Sequence, residues 1–297
     1  MQNHQDVAVY GLGNMGYLVA QRIAKAFPVR AFDPDETQLA RAKQAFDATP
    51  IGRPEDLKNT KIVVLSLPSP AVSQAVMRQI APVLPKGSVV VETSTVNPAD
   101  MHASEKLLAP YGIGLIDASV MAGVSQMAAG TAALLIGGAE EHVAACRPVL
   151  DAIAGKQVYF GALGAGAAAK VINNAVAHAV MVVVAEAGSM ATATGVSHEK
   201  LVALLADPQM GLHRPLTHRY AERIVSGNYA GGMPLDAARK DSVLALQLAQ
   251  TAGVPIFAIQ ASHSVYEMAA AAGHGRDDYA AIAKLWADWG RPAAPAA

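Results

Sequence analysis

The first apolar run, Val7 to Tyr10, is short and uninterrupted and ends at a glycine. An amphipathic stretch, Leu18 to Ala26, follows it, and then a second apolar run, Val29 to Phe32, which ends at Asp33. Runs of four apolar residues bounded by turn residues read as buried strands, and apolar positions three and four apart read as helix. The same alternation continues with strands over Ile62 to Leu67, Ser88 to Glu92, Ile113 to Asp117 and Ala132 to Ile136, and helices over Ala71 to Ile80 and around Met101 to Leu108. Strands and helices in turn over the first 160 or so residues predict an α/β domain. Its sheet should be parallel and doubly wound, with helices on both faces.

After Gly166 the pattern changes. Strand-like runs give way to long alanine-rich stretches, Ala167 to Ala193 and Asp236 to Ala252, which predict an all-helical second half. Its first helix should run ~25 residues or more, about 40 Å, long enough to leave one domain and become the spine of another. The expected organisation is a doubly wound α/β domain over 1–162, an all-helical domain over 163–290, and a loose Pro/Ala tail over 291–297. Its most apolar part, Ala175 to Ala193, approaches the ~20 residues that span a bilayer. It contains His178, Glu186 and Gly188 and has no closely flanking basic residues, so it reads as a buried helix of a soluble protein.

Composition narrows the function classes. The chain has 297 residues, with 23 basic against 24 acidic ones, so it presents no global field for nucleic acid or an anionic membrane. A small-molecule ligand is the expected partner. The single cysteine, Cys146, excludes an internal disulfide and a thiol cluster, and no spacing of His, Asp and Glu resembles a metal site. The amino-terminal residues lack the basic start and apolar core of a signal peptide. The expected setting is reducing and cytoplasmic. The alanine- and valine-rich helices carry more apolar surface than a small helical domain hides, which predicts a homodimer or homotetramer.

Between the first strand and the first helix stands Gly11-Leu12-Gly13-Asn14-Met15-Gly16. Here Gly11 permits a tight turn, Gly13 lets the backbone approach a pyrophosphate, and Gly16 allows close packing of helix on strand. The helix start then offers free N–H groups to phosphate. A bare glycine triplet is weak evidence. The strand before it, the helix after it and an acid about 20 residues on, Asp33, make it a dinucleotide fingerprint. The Asp33 carboxylate can accept from the ribose hydroxyls and repels a 2′-phosphate, so NAD is expected and NADP disfavoured.

The domain junction, Gly161-Ala-Leu-Gly-Ala-Gly-Ala-Ala-Ala-Lys170-Val-Ile-Asn173-Asn174, places Lys170 and Asn174 four residues apart on one helical face. A lone lysine there would usually be a solvated surface residue. The neighbouring amides, poor helix formers in an apolar sequence, call for partners, and a substrate could supply them.

Together with SLPSPAVSQAV from Ser66, ETSTVNP from Glu92, DASVMAGVSQMAAGTAALLIGG from Asp117 and RKDSVLALQLA from Arg239, these segments resemble the β-hydroxyacid dehydrogenase family over nearly the full chain. The resemblance implies a Rossmann domain and an all-helical domain sharing a long helix. It implies Lys170 as catalytic acid–base, Asn174 as substrate-orienting, and Leu67 and Thr95 as cofactor contacts, with Lys240 and Asp241 closing over the nicotinamide side. The implied reaction is hydride transfer between nicotinamide and the carbinol or carbonyl carbon of a β-hydroxyacid or semialdehyde. Where the family has Asp-Ala-Pro-Val-Ser-Gly-Gly, this chain has Asp117-Ala118-Ser119-Val120-Met121-Ala122-Gly123. Met121 cannot give the hydrogen bond with which the family's serine receives a substrate carboxylate, and Ala122 narrows the approach. Gly123 matches; Ser119 and Ser125 are candidate replacement donors, and a substrate with a larger or less charged group is the other reading. Reduction of an imine or a bulky aldehyde on the same fold is one alternative, and a cofactor-sensing protein without turnover is another.

Overall fold

The computed structural model describes residues 6–289. By its internal contacts the chain divides into two compact units, Met1–Ala175 and Val176–Ala297. The tail expected to be loose, 291–297, lies outside the described residues.

The first unit is built on one sheet. Strands β1 (Val7–Tyr10), β2 (Val29–Phe32), β3 (Thr49–Pro50), β4 (Ile62–Leu65), β5 (Val89–Glu92), β6 (Gly114–Met121), β7 (Ala133–Gly137) and β8 (Lys156–Gly161) lie in the order β3-β2-β1-β4-β5-β6-β7-β8. The strand order reverses between β1 and β4, both parallel to each other, and a crevice opens at such a switch point beyond the carboxyl ends of the strands.

Helices cover both faces, which is why the strands read as continuous apolar runs rather than alternating ones. Val7 and Val9 face one side, where they join Val19, Ala20 and Ile23 of α1 (Asn14–Ile23) and Val143, Cys146 and Leu150 of α6 (Glu140–Ile153). Ala8 and Tyr10 face the other, against Val76, Met77 and Ile80 of α3 (Pro70–Ile80) and Met101 and Leu108 of α4 (Pro98–Leu108). Adjacent side chains of one strand thus serve two cores.

The sheet is parallel, as expected, in every pairing but one, β6 with β7. Strand β6 runs on past Asp117 to Met121, because it pairs parallel with β5 up to Asp117 and antiparallel with β7 from Asp117 onward. The elements α2 (Glu36–Phe46), α6 and β8 were not foreseen. The first is set by Asp35, whose Oδ1 accepts from the Thr37 amide at 2.9 Å and caps the helix. Strand β8 is an edge strand in which Tyr159 and Phe160 are exposed, so no inward apolar run announces it.

The second unit is all-helical. It holds the greater part of α7 (Ala165–Thr194), then α8 (His198–Ala206), a π-helical stretch Pro215–Ile224, α9 (Leu235–Thr251) and α10 (Ala258–Ala269). In α7, Glu186 accepts from the amides of Phe257, Ala258 and Ile259 at 2.6, 2.8 and 3.0 Å and so closes the amino end of α10. Burial pushes the Glu186 carboxyl up, but the three amides outweigh it and hold it below the usual carboxylate range. The fully buried Asp278 is held by Arg219 at 3.1 Å and Arg223 at 3.4 Å.

The expected burial of α7 is corrected in the single chain. By length and composition α7 could cross a membrane. Val176 and Met181 on it are more than half exposed, because the elements of this chain that pack on the helix do not surround it.

One clearance sets how closely α1 approaches the sheet. A Cβ on Gly16 would be driven into the Gly11 carbonyl oxygen and to 3.0 Å from Ser66 Cβ. Gly16→Ala should therefore lower unfolding stability by about 1–3 kcal/mol through overpacking. Denaturant titration should show a lower midpoint at unchanged slope, together with weaker NADH binding.

Candidate functional site

The residues that end the strands converge on a cavity of about 760 Å³ within the first unit. Gly11, Gly13, Asn14, Met15 and Gly16 line one part, with Asp33 and Pro34 beside them. The loop after β4 contributes Ser66, Leu67 and Pro68, and the loop after β5 contributes Thr93, Ser94 and Thr95. Val120 and Ala122 close one wall, and Lys170 and Asn174 enter from the first turns of α7. Of the lining residues only Asp33 and Lys170 carry charge.

At the glycine turn, Gly13 is the N-cap of α1 and no side chain caps that helix, so its first N–H groups face the cavity unclaimed by a side chain. A Cβ at Gly13 would meet nothing within 4 Å, which leaves the backbone open to a phosphate. Asp33 is fixed by its neighbours. Its Oδ2 accepts from the Leu12 amide at 2.6 Å and its Oδ1 from the Asp35 amide at 2.9 Å, leaving further lone pairs for a diol. The fit to a dinucleotide is good: an uncapped helix start for the pyrophosphate and an oriented carboxylate where the second strand ends.

The two loops beyond β4 and β5 are braced from below. Buried Glu92 accepts from the Ser94 amide at 3.0 Å, and Ser94 Oγ accepts from the Leu67 amide at 2.8 Å. Burial pushes the Glu92 carboxyl up, opposed by hydrogen bonds from Ser94 and Ser73. This brace holds the positions where the sequence places Leu67 and Thr95.

Asp117 ties α7 to the sheet. It is fully buried, and its carboxylate accepts from the Gly164 and Ala167 amides at 2.7 Å each. Burial pushes its carboxyl up while those amides oppose the shift. A Cβ on Gly166 would lie 2.7 Å from Asp117 Oδ2, so only glycine lets the helix start sit on the carboxylate. Lys170 stands three residues beyond Ala167, on the same face. Burial lowers the Lys170 ammonium from the ordinary lysine range. Its Nζ lies 3.7 Å from Met121 Sδ, and Asn173 Nδ2 lies 3.6 Å from the same sulfur.

The remaining predicted residues do not line the cavity. Leu12 is buried beneath the glycine turn. Ser119 is buried in β6, and its Oγ has no hydrogen-bond partner among the described residues. Gly123 donates its amide to Gln126 Oε1 at 2.9 Å. Lys240, on α9 of the second unit, is 2.8 Å from the Asp241 carboxylate. Ser66, Thr93, Ser94 and Val120 had not been singled out. Their signal was available: each lies at or just past the carboxyl end of a strand at or near the switch point.

Comparison with known proteins agrees with this arrangement. The family described as the NAD binding domain of 6-phosphogluconate dehydrogenase matches residues 6–161, and the one described as NAD-binding of NADP-dependent 3-hydroxyisobutyrate dehydrogenase matches residues 164–286. The chain is 30% identical over 291 residues to a 2-(hydroxymethyl)glutarate dehydrogenase from Eubacterium barkeri, covering 96% of each. It is 31% identical over 288 residues to an L-threonate dehydrogenase from Cupriavidus necator, covering 95% of this chain and 96% of that one. Its fold resembles that of an imine reductase variant from Myxococcus stipitatus in complex with NAD+, with a TM-score of 0.84 and 21% identity over 95% of this chain and 99% of that one.

The clamp yields a prediction. In Asp117→Asn the amide keeps one acceptor but turns a donor toward a helix N–H, so a charge-assisted bond is lost. Chemical denaturation should show a loss of roughly 1.5–3 kcal/mol. Because Lys170 follows the clamped turn, kcat should fall at least tenfold while NADH affinity stays within threefold.

Proposed function

The chain belongs to the β-hydroxyacid dehydrogenase family, and we propose that it moves a hydride between a nicotinamide cofactor and a carbinol or carbonyl carbon, with Lys170 as the acid–base group. One observation carries this reading: the half-buried amine of Lys170 and the amide of Asn174 open into the same cavity as the glycine turn and Asp33. A dinucleotide along that turn supplies the hydride acceptor or donor when bound. In oxidation, the Lys170 amine takes the hydroxyl proton as the carbon loses its hydride. In reduction, the ammonium returns the proton to the carbonyl oxygen. Burial supports both roles, because it lowers the cost of the neutral amine. Asn174, one turn along α7, orients the reacting oxygen.

Asp33 supports NAD as the cofactor. Its carboxylate, held by Leu12 and Asp35 amides, meets the ribose hydroxyls, and the acidic run Asp33, Asp35 and Glu36 repels a 2′-phosphate. The apolar surface left open on the second unit, at Val176, Met181, Val202, Leu244 and Phe257, supports a homodimer or homotetramer. Glu186 supports a protein rather than a lipid environment for α7, since its carboxylate is committed to three amides of the same unit. The balanced charge and the free, buried Cys146 fit a small-molecule enzyme of a reducing, cytoplasmic setting.

Two predictions follow from these roles. Wild-type protein should prefer NAD over NADP in kcat/KM by roughly tenfold or more, and Asp33→Ser should erode the preference mainly by weakening NAD binding. Equal use of NADP by the wild type would refute it.

Lys170→Ala should lose about 10²–10⁴-fold in kcat with the NADH dissociation constant nearly unchanged, and Lys170→Arg should not restore it, because a guanidinium stays protonated. In the wild type, alcohol oxidation should rise with pH and level off below the ordinary lysine range, since only the neutral amine accepts the proton. A variant that keeps a tenth of wild-type kcat would remove Lys170 from this role.

A further inference from the structure

On the β6 side of Lys170 the wall is apolar. Val120 and Ala122 line the cavity there, and Met121 brings its thioether to 3.7 Å from the Lys170 amine. The polar groups of the same segment are turned elsewhere: Ser119 is buried in the strand off the cavity, and the Gly123 amide is already donated to Gln126 Oε1 at 2.9 Å. Among the described residues no other cation lines the cavity.

We propose that the Val120–Met121–Ala122 wall selects substrates whose group beside the reacting carbon is uncharged, such as an alcohol or aldehyde flanked by an ester, amide or alkyl group, over free short-chain carboxylates. The proposal rests on Lys170 as the acid–base group.

Two physical effects bear on a carboxylate at this wall, the first on its binding and the second on its oxidation. A carboxylate set against the Val120, Met121 and Ala122 side chains is stripped of water and gains no hydrogen bond from them. Its one available counter-charge is the Lys170 ammonium, and an anion that close favours the charged form of the amine, so the base needed for oxidation is lost. A thioether is uncharged and a weak acceptor, and it leaves the amine free to exchange its proton. Met121 is thus a specificity-determining residue: it fills the place next to Lys170 with a group that neither binds an acid nor holds the amine protonated. Gln126 acts with it by occupying the one backbone donor of the segment that is shown to be committed.

The test uses the full chain loaded with NADH and two probes of one carbon skeleton, isobutyrate and methyl isobutyrate, titrated by the change in NADH fluorescence. Methyl isobutyrate should bind at least tenfold more tightly to the wild type. The preference should persist in Met121→Leu, which keeps the apolar wall without sulfur. It should invert in Met121→Ser combined with Gln126→Ala, which adds a hydroxyl and frees the Gly123 amide. In turnover, methyl 3-hydroxyisobutyrate should exceed 3-hydroxyisobutyrate in kcat/KM by a similar factor. Isobutyrate binding as tightly as the ester, failure of both probes to bind, or an unchanged ratio in the double variant would each overturn the proposal. Failure of the acid–base reading is seen separately, as turnover retained by Lys170→Ala whichever probe binds.

Discussion

The carboxylate of Asp117, buried at the end of the sheet's parallel section, is the constraint on which the site depends. It receives the Gly164 and Ala167 amides, which belong to the chain just before and within the first turn of α7. Those N–H groups have no partner within the helix, and a buried helix start without acceptors would be costly. One side chain therefore fixes where α7 begins, and Lys170 and Asn174 stand at set distances along it. The same residue marks the change of pairing in β6, parallel to β5 up to this point and antiparallel to β7 from it.

Close backbone approach at two places makes room for that geometry. Gly16 lets α1 sit against the Gly11 carbonyl and the end of β4, and Gly166 lets α7 sit on Asp117 and the Leu135 carbonyl. The uncapped start of α1 and the anchored start of α7 thereby line one crevice, where the strand order reverses. Beneath it, the Glu92, Ser94 and Leu67 bonds brace the two loops that complete the wall. The cavity is braced by hydrogen bonds at Asp33 and in the loops after β4 and β5, and is apolar where Met121 meets Lys170.

That apolar end gives the electrostatics their character. Lys170 faces a thioether and two aliphatic side chains rather than a carboxylate, and burial alone lowers its ammonium. Among the described residues no carboxylate beside it holds the amine in its charged form.

Much of this was legible along the sequence. The strands Val7–Tyr10 and Val29–Phe32, the glycine turn between them and Asp33 are local features. Each follows from an apolar run, a missing Cβ or a carboxylate at a fixed spacing, and each was read with its observed bounds. Lys170 and Asn174 share a face because helical periodicity requires it. The extension of β6 to Met121, the edge strand β8 and the switch from parallel to antiparallel pairing were not legible, since pairing partners lie distant in the chain and leave no local period. Nor was the commitment of donors. The sequence by itself determined which residues could bind a dinucleotide and exchange a proton. Only the tertiary structure decided that Ser119 is buried off the cavity, that Gln126 takes the Gly123 amide and that Met121 abuts Lys170, because a donor's availability depends on what packs against it.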